Sequence, residues 1–190
     1  MKISIHQPNF MPWIPFFKKI EWADIFVILI ECQFEKNNFQ NRFNIGETWY
    51  TMSVAKGNDP IKNKTYISPF SDWNKIKSKL PQYKKQLSLF DDCISDSLSK
   101  TNIEIIKRAC EILNIKTKIV LDYETDLKST ERLVDICKHF KATEYLSGSS
   151  GKNYLDIGKF GDIKVSFQTT TNEDKIILLE AIKNATNIKQ

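Results

Sequence analysis

The stretch Lys118-Ile119-Val120-Leu121-Asp122-Tyr123, followed by Thr130 to Phe140 and then Glu144-Tyr145-Leu146-Ser147, decides the fold. The first and last segments are short, rich in β-branched and aromatic residues, and of strand length. Between them Leu133, Ile136, Cys137 and Phe140 recur at spacings of three and four, the stripe of an amphipathic helix. Strand, helix and strand within about 30 residues form a βαβ unit, whose crossover makes the strands parallel. The expected class is therefore α/β, with a Rossmann-like, mostly parallel sheet flanked by helices.

Working outward, Lys2 to Ile5 alternates polar and β-branched residues and predicts a first strand. Prolines at 8, 12 and 15 then forbid a regular helix and stiffen a loop. A short helix over Phe16 to Trp22 buries Phe16, Phe17 and Ile20, and Asp24 to Phe34 predicts a second, mostly buried strand. Phe39 to Ile45, the turn signal Gly46-Glu47 and Thr48 to Val54 predict a hairpin. Thr65 to Ser68 adds a short strand, so an antiparallel excursion spans roughly residues 27–70. Ser71 is expected to cap a helix through about Leu80, and Pro81 opens a segment to Leu89. Asn102 is expected to cap a helix carrying Ile103, Ile106, Cys110 and Leu113. After Gln168 the chain is polar, then helical over Asp174 to Ala185.

At 190 residues, 41% hydrophobic and 27% charged, the chain is ordinary globular material sized for one domain, 1–190. No apolar run reaches the roughly 20 residues of a membrane span, and polar residues break up the amino terminus. Net charge is +5, from 28 basic and 23 acidic residues. Lysine clusters at 75–79 and 84–85 read as solvated helix faces. No basic stripe interleaved with aromatics marks a nucleic-acid binder. Cys32, Cys93, Cys110 and Cys137 form no C-x-x-C pair, and His6 and His139 complete no zinc spacing. A reduced, cytoplasmic setting is expected, with neither metal nor cofactor.

Three polar segments can carry chemistry. In Ile5-His6-Gln7-Pro8-Asn9-Phe10-Met11-Pro12-Trp13 a strand delivers His6 to its carboxyl end, where open α/β sheets bind ligands. His6 can act there as general base or proton donor, its ordinary pKa lying near working pH. Gln7 and Asn9 can orient a polar substrate and Trp13 can stack on a sugar or base. Equally, His6 and Asn9 can simply tie down the loop, with Trp13 in the core. Gln33 to Arg42 follows the apolar strand; Gln40 is polar, and Arg42 can grip a phosphate bidentately, or the segment is a solvated hairpin tip. Leu146-Ser147-Gly148-Ser149-Ser150-Gly151-Lys152-Asn153-Tyr154-Leu155 exposes backbone N–H groups beside Lys152, a phosphate candidate. It matches neither the P-loop nor G-x-G-x-x-G, and a plain surface turn is the alternative. Asp24 and Glu31 offer a carboxylate pair that nothing in the sequence makes converge.

These segments resemble the WbqC-like family, whose members open with a strand and His-Gln-Pro-Asn-(aromatic)-x-Pro-Trp, matched from His6 to Trp13. Ala23-Asp24, Phe39-Gln40-Asn41-Arg42, Trp73 and Tyr145 to Leu155 match in the family's order, covering roughly residues 1–168. Two stretches depart: Ile30-Glu31-Cys32-Gln33, and everything after Gln168, which lacks the His/Pro/Tyr-rich continuation. The resemblance implies a role in O-antigen or related surface-glycan synthesis on a nucleotide-linked sugar. The leading hypothesis for the reaction is an acyl- or aminoacyl-transferase forming an amide on a nucleotide-linked amino sugar, using an acyl donor. His6 would be the base, Arg42 and Lys152 the phosphate grip, Trp13 and Tyr154 the aromatic platform, and Gln7, Asn9, Gln40, Ser147 and Gly148 further contacts. The alternative is a non-catalytic module that binds the nucleotide-sugar or a pathway enzyme.

Overall fold

The structure, a computed structural model, describes residues 1–169, 171 and 177–187. Its centre is a five-stranded parallel sheet of β1 (Lys2–His6), β2 (Ile25–Ile28), β5 (Lys118–Leu121), β6 (Glu144–Ser147) and β7 (Lys164–Phe167), in the order β5-β2-β1-β6-β7. A separate antiparallel hairpin joins β3 (Arg42–Ile45) to β4 (Thr48–Thr51). Its two-residue turn starts at Gly46, whose φ of 57° supplies the left-handed conformation such turns require. The expected class and the antiparallel excursion are both present. In the Lys118–Ser147 unit the strands are parallel as expected, with β2 and β1 lying between them.

The alternation along β1 splits the core in two. Ile3 and Ile5 join Val27, Leu29 and α5 (Ser129–His139) on one face of the sheet. On the other face Phe26 and Ile28 pack with α1 (Ile14–Trp22) and α4 (Leu98–Ile112). Pro15 sits in the first turn of α1, where a missing N–H costs no helix bond, and Phe16, Phe17 and Ile20 are buried as expected. Each such side chain contributes about 2 kcal/mol by leaving water. The helix α6 (Leu178–Asn187) buries Leu178, Leu179 and Ile182 against this layer, and Tyr83 donates to Glu180 at 2.5 Å. The expected start of that helix at Asp174 lies outside the described residues.

Four departures from expectation have a visible physical cause. β2 ends at Ile28 rather than Phe34, because the Asp122 carboxylate accepts the Ile30 and Glu31 amides at 2.8 and 3.3 Å and draws the chain out of the ladder. Thr65 to Ser68 makes isolated bridges, Thr65 to Ser97 and Tyr66 to Val54, and no strand. α2 (Pro69–Lys79) starts before Ser71, since Pro69 is preset for a first helical turn that Asp72 N–H closes onto Ser68 O. α4 is capped by the Ser97 hydroxyl, which accepts from Lys100 N–H at 3.3 Å. Asn102 is therefore inside the helix and fully buried. No helix among the described residues is long and apolar enough to cross a membrane.

Candidate functional site

From β1 the chain steps to one side (β2, β5) and later fills the other (β6, β7), so the loops leaving β1 and β6 diverge. A crevice at that point, outside the carboxyl ends of the strands, follows from the topology. Here it is a cavity of ≈ 550 Å³ lined by His6, Gln7 and Asn9 from one loop and Ser147, Gly148 and Ser149 from the other. Trp13, 49% exposed, and Tyr154, 58% exposed, stand at its mouth. A second, more apolar cavity of ≈ 410 Å³ shares Asn9, Trp13 and Phe39 with the first, and Phe10, Phe43 and Leu178 help close it.

His6 ends β1 with its ring edge-on to Phe16, centroids 5.0 Å apart. A carbonyl only accepts, so the 2.9 Å contact with Gln7 O assigns the proton to Nδ1 and leaves Nε2 as a lone-pair acceptor. Burial, and secondarily the charge of Lys19, push the His6 pKa down to about 3. The expected titration near working pH is thus corrected: His6 is a neutral imidazole there and has no proton to lend as a cation.

Gln7 accepts from Gln40 Nε2 at 2.8 Å, and Gln40 Oε1 accepts from Glu35 N–H at 3.0 Å. Gln40 is fully buried and outside the cavity wall, and its side chain reaches the cavity only through its bond to Gln7. Behind both, Asn102 Nδ2 donates to Pro8 O at 2.8 Å and Gln40 O at 2.7 Å, fastening the two polar segments to α4. Met11, buried with φ 47°, shows how strongly packing fixes this loop, since a side chain rarely adopts that conformation. Behind the opposite wall a Cβ at Gly151 would stand 2.1 Å from Ser147 Oγ, so glycine lets that turn pack closely on Ser147.

Arg42 and Lys152 are not in the cavity wall. Arg42 lies 4.1 Å over the Trp49 ring and donates to Asn37 O, and Lys152 sits 5.8 Å from the Phe167 ring centroid. Asp24 accepts from Lys2 N–H at the opposite end of the sheet, whereas Glu31 pairs with Lys62 at 2.7 Å, so those carboxylates do not converge.

The cations that do line the cavity escaped the sequence reading. Lys19, on α1, is 2% exposed and donates to Ile5 O at 3.1 Å. Burial pushes its pKa down to about 7. Arg132, on α5, is 7% exposed and donates through Nη2 to Asp122 and, at 3.2 Å, to Tyr123 O. Its buried Nε–H has no partner among the described residues. Burial outweighs that ion pair and holds the Asp122 carboxyl above its ordinary value. Both signals were in the sequence: Lys19 is three residues after Phe16, and Arg132 abuts Leu133, each on a helix's apolar stripe. Cys32 also lines the cavity, its thiol held above the usual range by burial and so protonated. Among the described residues no group of His, Cys, Asp and Glu has the make-up of a metal site.

The model of the WbqC-like protein family matches residues 7–175, from Gln7, just after His6, to beyond β7. The chain belongs to the WbqC-like family. An uncharacterized protein of Mycobacterium tuberculosis (strain ATCC 25618 / H37Rv), Rv1507c, is 30% identical over 183 residues, which cover 86% of this chain and 79% of that protein. No solved structure matches. The family match thus takes in both loops that meet at the crevice.

Proposed function

We propose that this protein is a transferase of bacterial O-antigen or surface-glycan synthesis that forms an amide on a nucleotide-linked amino sugar. The observation that carries the reading is the meeting of the His6–Asn9 and Ser147–Ser149 loops across one ≈ 550 Å³ cavity with aromatic rings at its mouth. That volume suits a drug-sized polar ligand. Trp13 and Tyr154 would stack on sugar or base, and Gln7 and Asn9 would orient hydroxyl and amino groups. The adjoining apolar cavity would take the acyl donor. In the transfer, the sugar nitrogen attacks the acyl carbonyl, the nitrogen–carbon bond forms and the bond to the leaving group breaks. The proton shed by nitrogen passes over the His6 Nε2 lone pair to the departing group. With its low pKa, His6 carries that proton only transiently, between the ammonium of the tetrahedral adduct and the departing group.

The test is incubation with nucleoside-diphosphate amino sugars and activated acyl or aminoacyl donors, read by mass spectrometry. An amide product, reduced at least about a hundredfold by His6→Ala, is expected. Absence of product with every donor, or full turnover by His6→Ala, overturns the reading.

The depressed His6 pKa also favours a second reading, a module that binds a nucleotide-sugar or a partner enzyme without turnover. Calorimetric binding with no product supports it, and multiple-turnover product excludes it.

A further inference from the structure

Two basic side chains line the cavity, and one of them has no carboxylate beside it. Lys19 and Arg132 reach it from opposite layers of the sheet, one from α1 and one from α5. Asp122, its side chain 0% exposed, offsets one of these charges by pairing with Arg132. Lys19 donates a single hydrogen bond, to the carbonyl of Ile5, and no carboxylate among the described residues pairs with it. Glu35, the acidic side chain in the wall, is exposed and holds Asn38 Nδ2 at 2.6 Å.

Uncapped backbone adds to this excess. α5 opens at Ser129, a wall residue, and Lys128 before it provides no side-chain cap. The N–H groups of the first turn therefore present partial positive charge toward the crevice. Glu131 on that turn is exposed and held by Lys159 at 2.8 Å. Arg132 one turn in leaves its buried Nε–H unpartnered, and an orphaned buried donor is costly unless something fills it.

We propose that Lys19, Arg132 and the amino terminus of α5 form an anion subsite that takes the diphosphate of the cavity's ligand. This assignment rests on reading the cavity as a nucleotide-sugar site, and it replaces Arg42 and Lys152 as the phosphate grip. An ammonium supplies a compact charge and a guanidinium a planar fork, the combination suited to adjacent phosphates.

The experiment titrates the full chain, ¹⁵N-labelled, with inorganic pyrophosphate, uridine diphosphate and uridine. Saturable shifts of the Arg132 Nε–H and the Ser129 to Glu131 amides with both phosphate ligands, and none with uridine, are expected. Calorimetry should show pyrophosphate affinity falling about tenfold or more in Lys19→Met. Removing Arg132 alone strands Asp122, so the paired variant Arg132→Met/Asp122→Asn is the second measurement, with a comparable loss. Failure of pyrophosphate to bind, shifts centred on Lys152 or Arg42 instead, or affinity unchanged in both variants overturns the subsite. Pyrophosphate binding here without any amide product sinks the transferase reading alone. Amide formation with pyrophosphate affinity unchanged by both variants sinks the subsite alone.

Discussion

Lys19→Met tests the electrostatics of the cavity through stability. The ammonium is 2% exposed, without a carboxylate partner among the described residues, and burial moves its pKa from 10.5 to about 7. At about 1.4 kcal/mol per tenfold change, the folded state carries a penalty of about 5 kcal/mol wherever both states are protonated, below about pH 7. Between pH 7 and 10.5 the unfolded chain still binds a proton that the folded chain has released. Stability therefore rises with pH across that window and the penalty fades. Methionine keeps the unbranched apolar stem and loses the bond to Ile5 O, a sacrifice of about 1 kcal/mol. The variant should be more stable than the wild type by about 2–4 kcal/mol at pH 6, an advantage shrinking by about 2 kcal/mol between pH 7 and 9. Urea denaturation of both proteins across that range measures the difference, in which groups common to the two cancel. A variant less stable than wild type at pH 6, or a difference independent of pH, refutes the reasoning.

Other perturbations probe the frame around the site. Asn102→Ala strands the buried carbonyls of Pro8 and Gln40 and should cost about 2–4 kcal/mol in urea unfolding; a loss under about 1 kcal/mol would show that the clamp contributes little. Gly151→Ala sets a methyl against Ser147 Oγ and should cost about 1–3 kcal/mol, part of it recovered when Ser147→Ala removes that oxygen; equal losses with and without the second change would rule out the clash. His6, its pKa lowered to about 3, should show imidazole ¹⁵N shifts of the neutral Nδ1–H form, unchanged from pH 8 to 5. Between pH 6.5 and about 3 the unfolded chain alone is protonated at this position, so its share of stability is lost as pH falls through that range, and a midpoint above 6 would contradict the burial.

How much of the fold could be read depended on whether the signal was local. The stripe Leu133, Ile136, Cys137 and the β-branched runs around Ile3 and Val120 are periodic on their own, and their elements lie where expected. The early end of β2 was unreadable because it is imposed by Asp122, some 90 residues away, through two hydrogen bonds. Asn102 misled for a related reason. An asparagine near a helix start reads as a cap, whereas here its amide serves two loops brought to it only by folding. β7 carried too weak a pattern in Lys164 to Phe167 to stand out, and its pairing with β6 supplies the order.

The site divides along the same line. Loops rich in His, Gln, Ser and Gly stand out because such residues are unusual beside strands, and His6 and Ser147 do line one cavity. Arg42 stood out for its bidentate fork and Lys152 for its small-residue loop, yet each cation faces an aromatic ring outside the cavity wall. Lys19 and Arg132 interrupt hydrophobic stripes, and a lone cation on such a stripe carries no motif that would mark it in the sequence. A cation on a buried stripe must meet a carboxylate, lose its proton or await an anion. Arg132 takes the first course with Asp122, and the lowered pKa of Lys19 marks the cost where no carboxylate answers it.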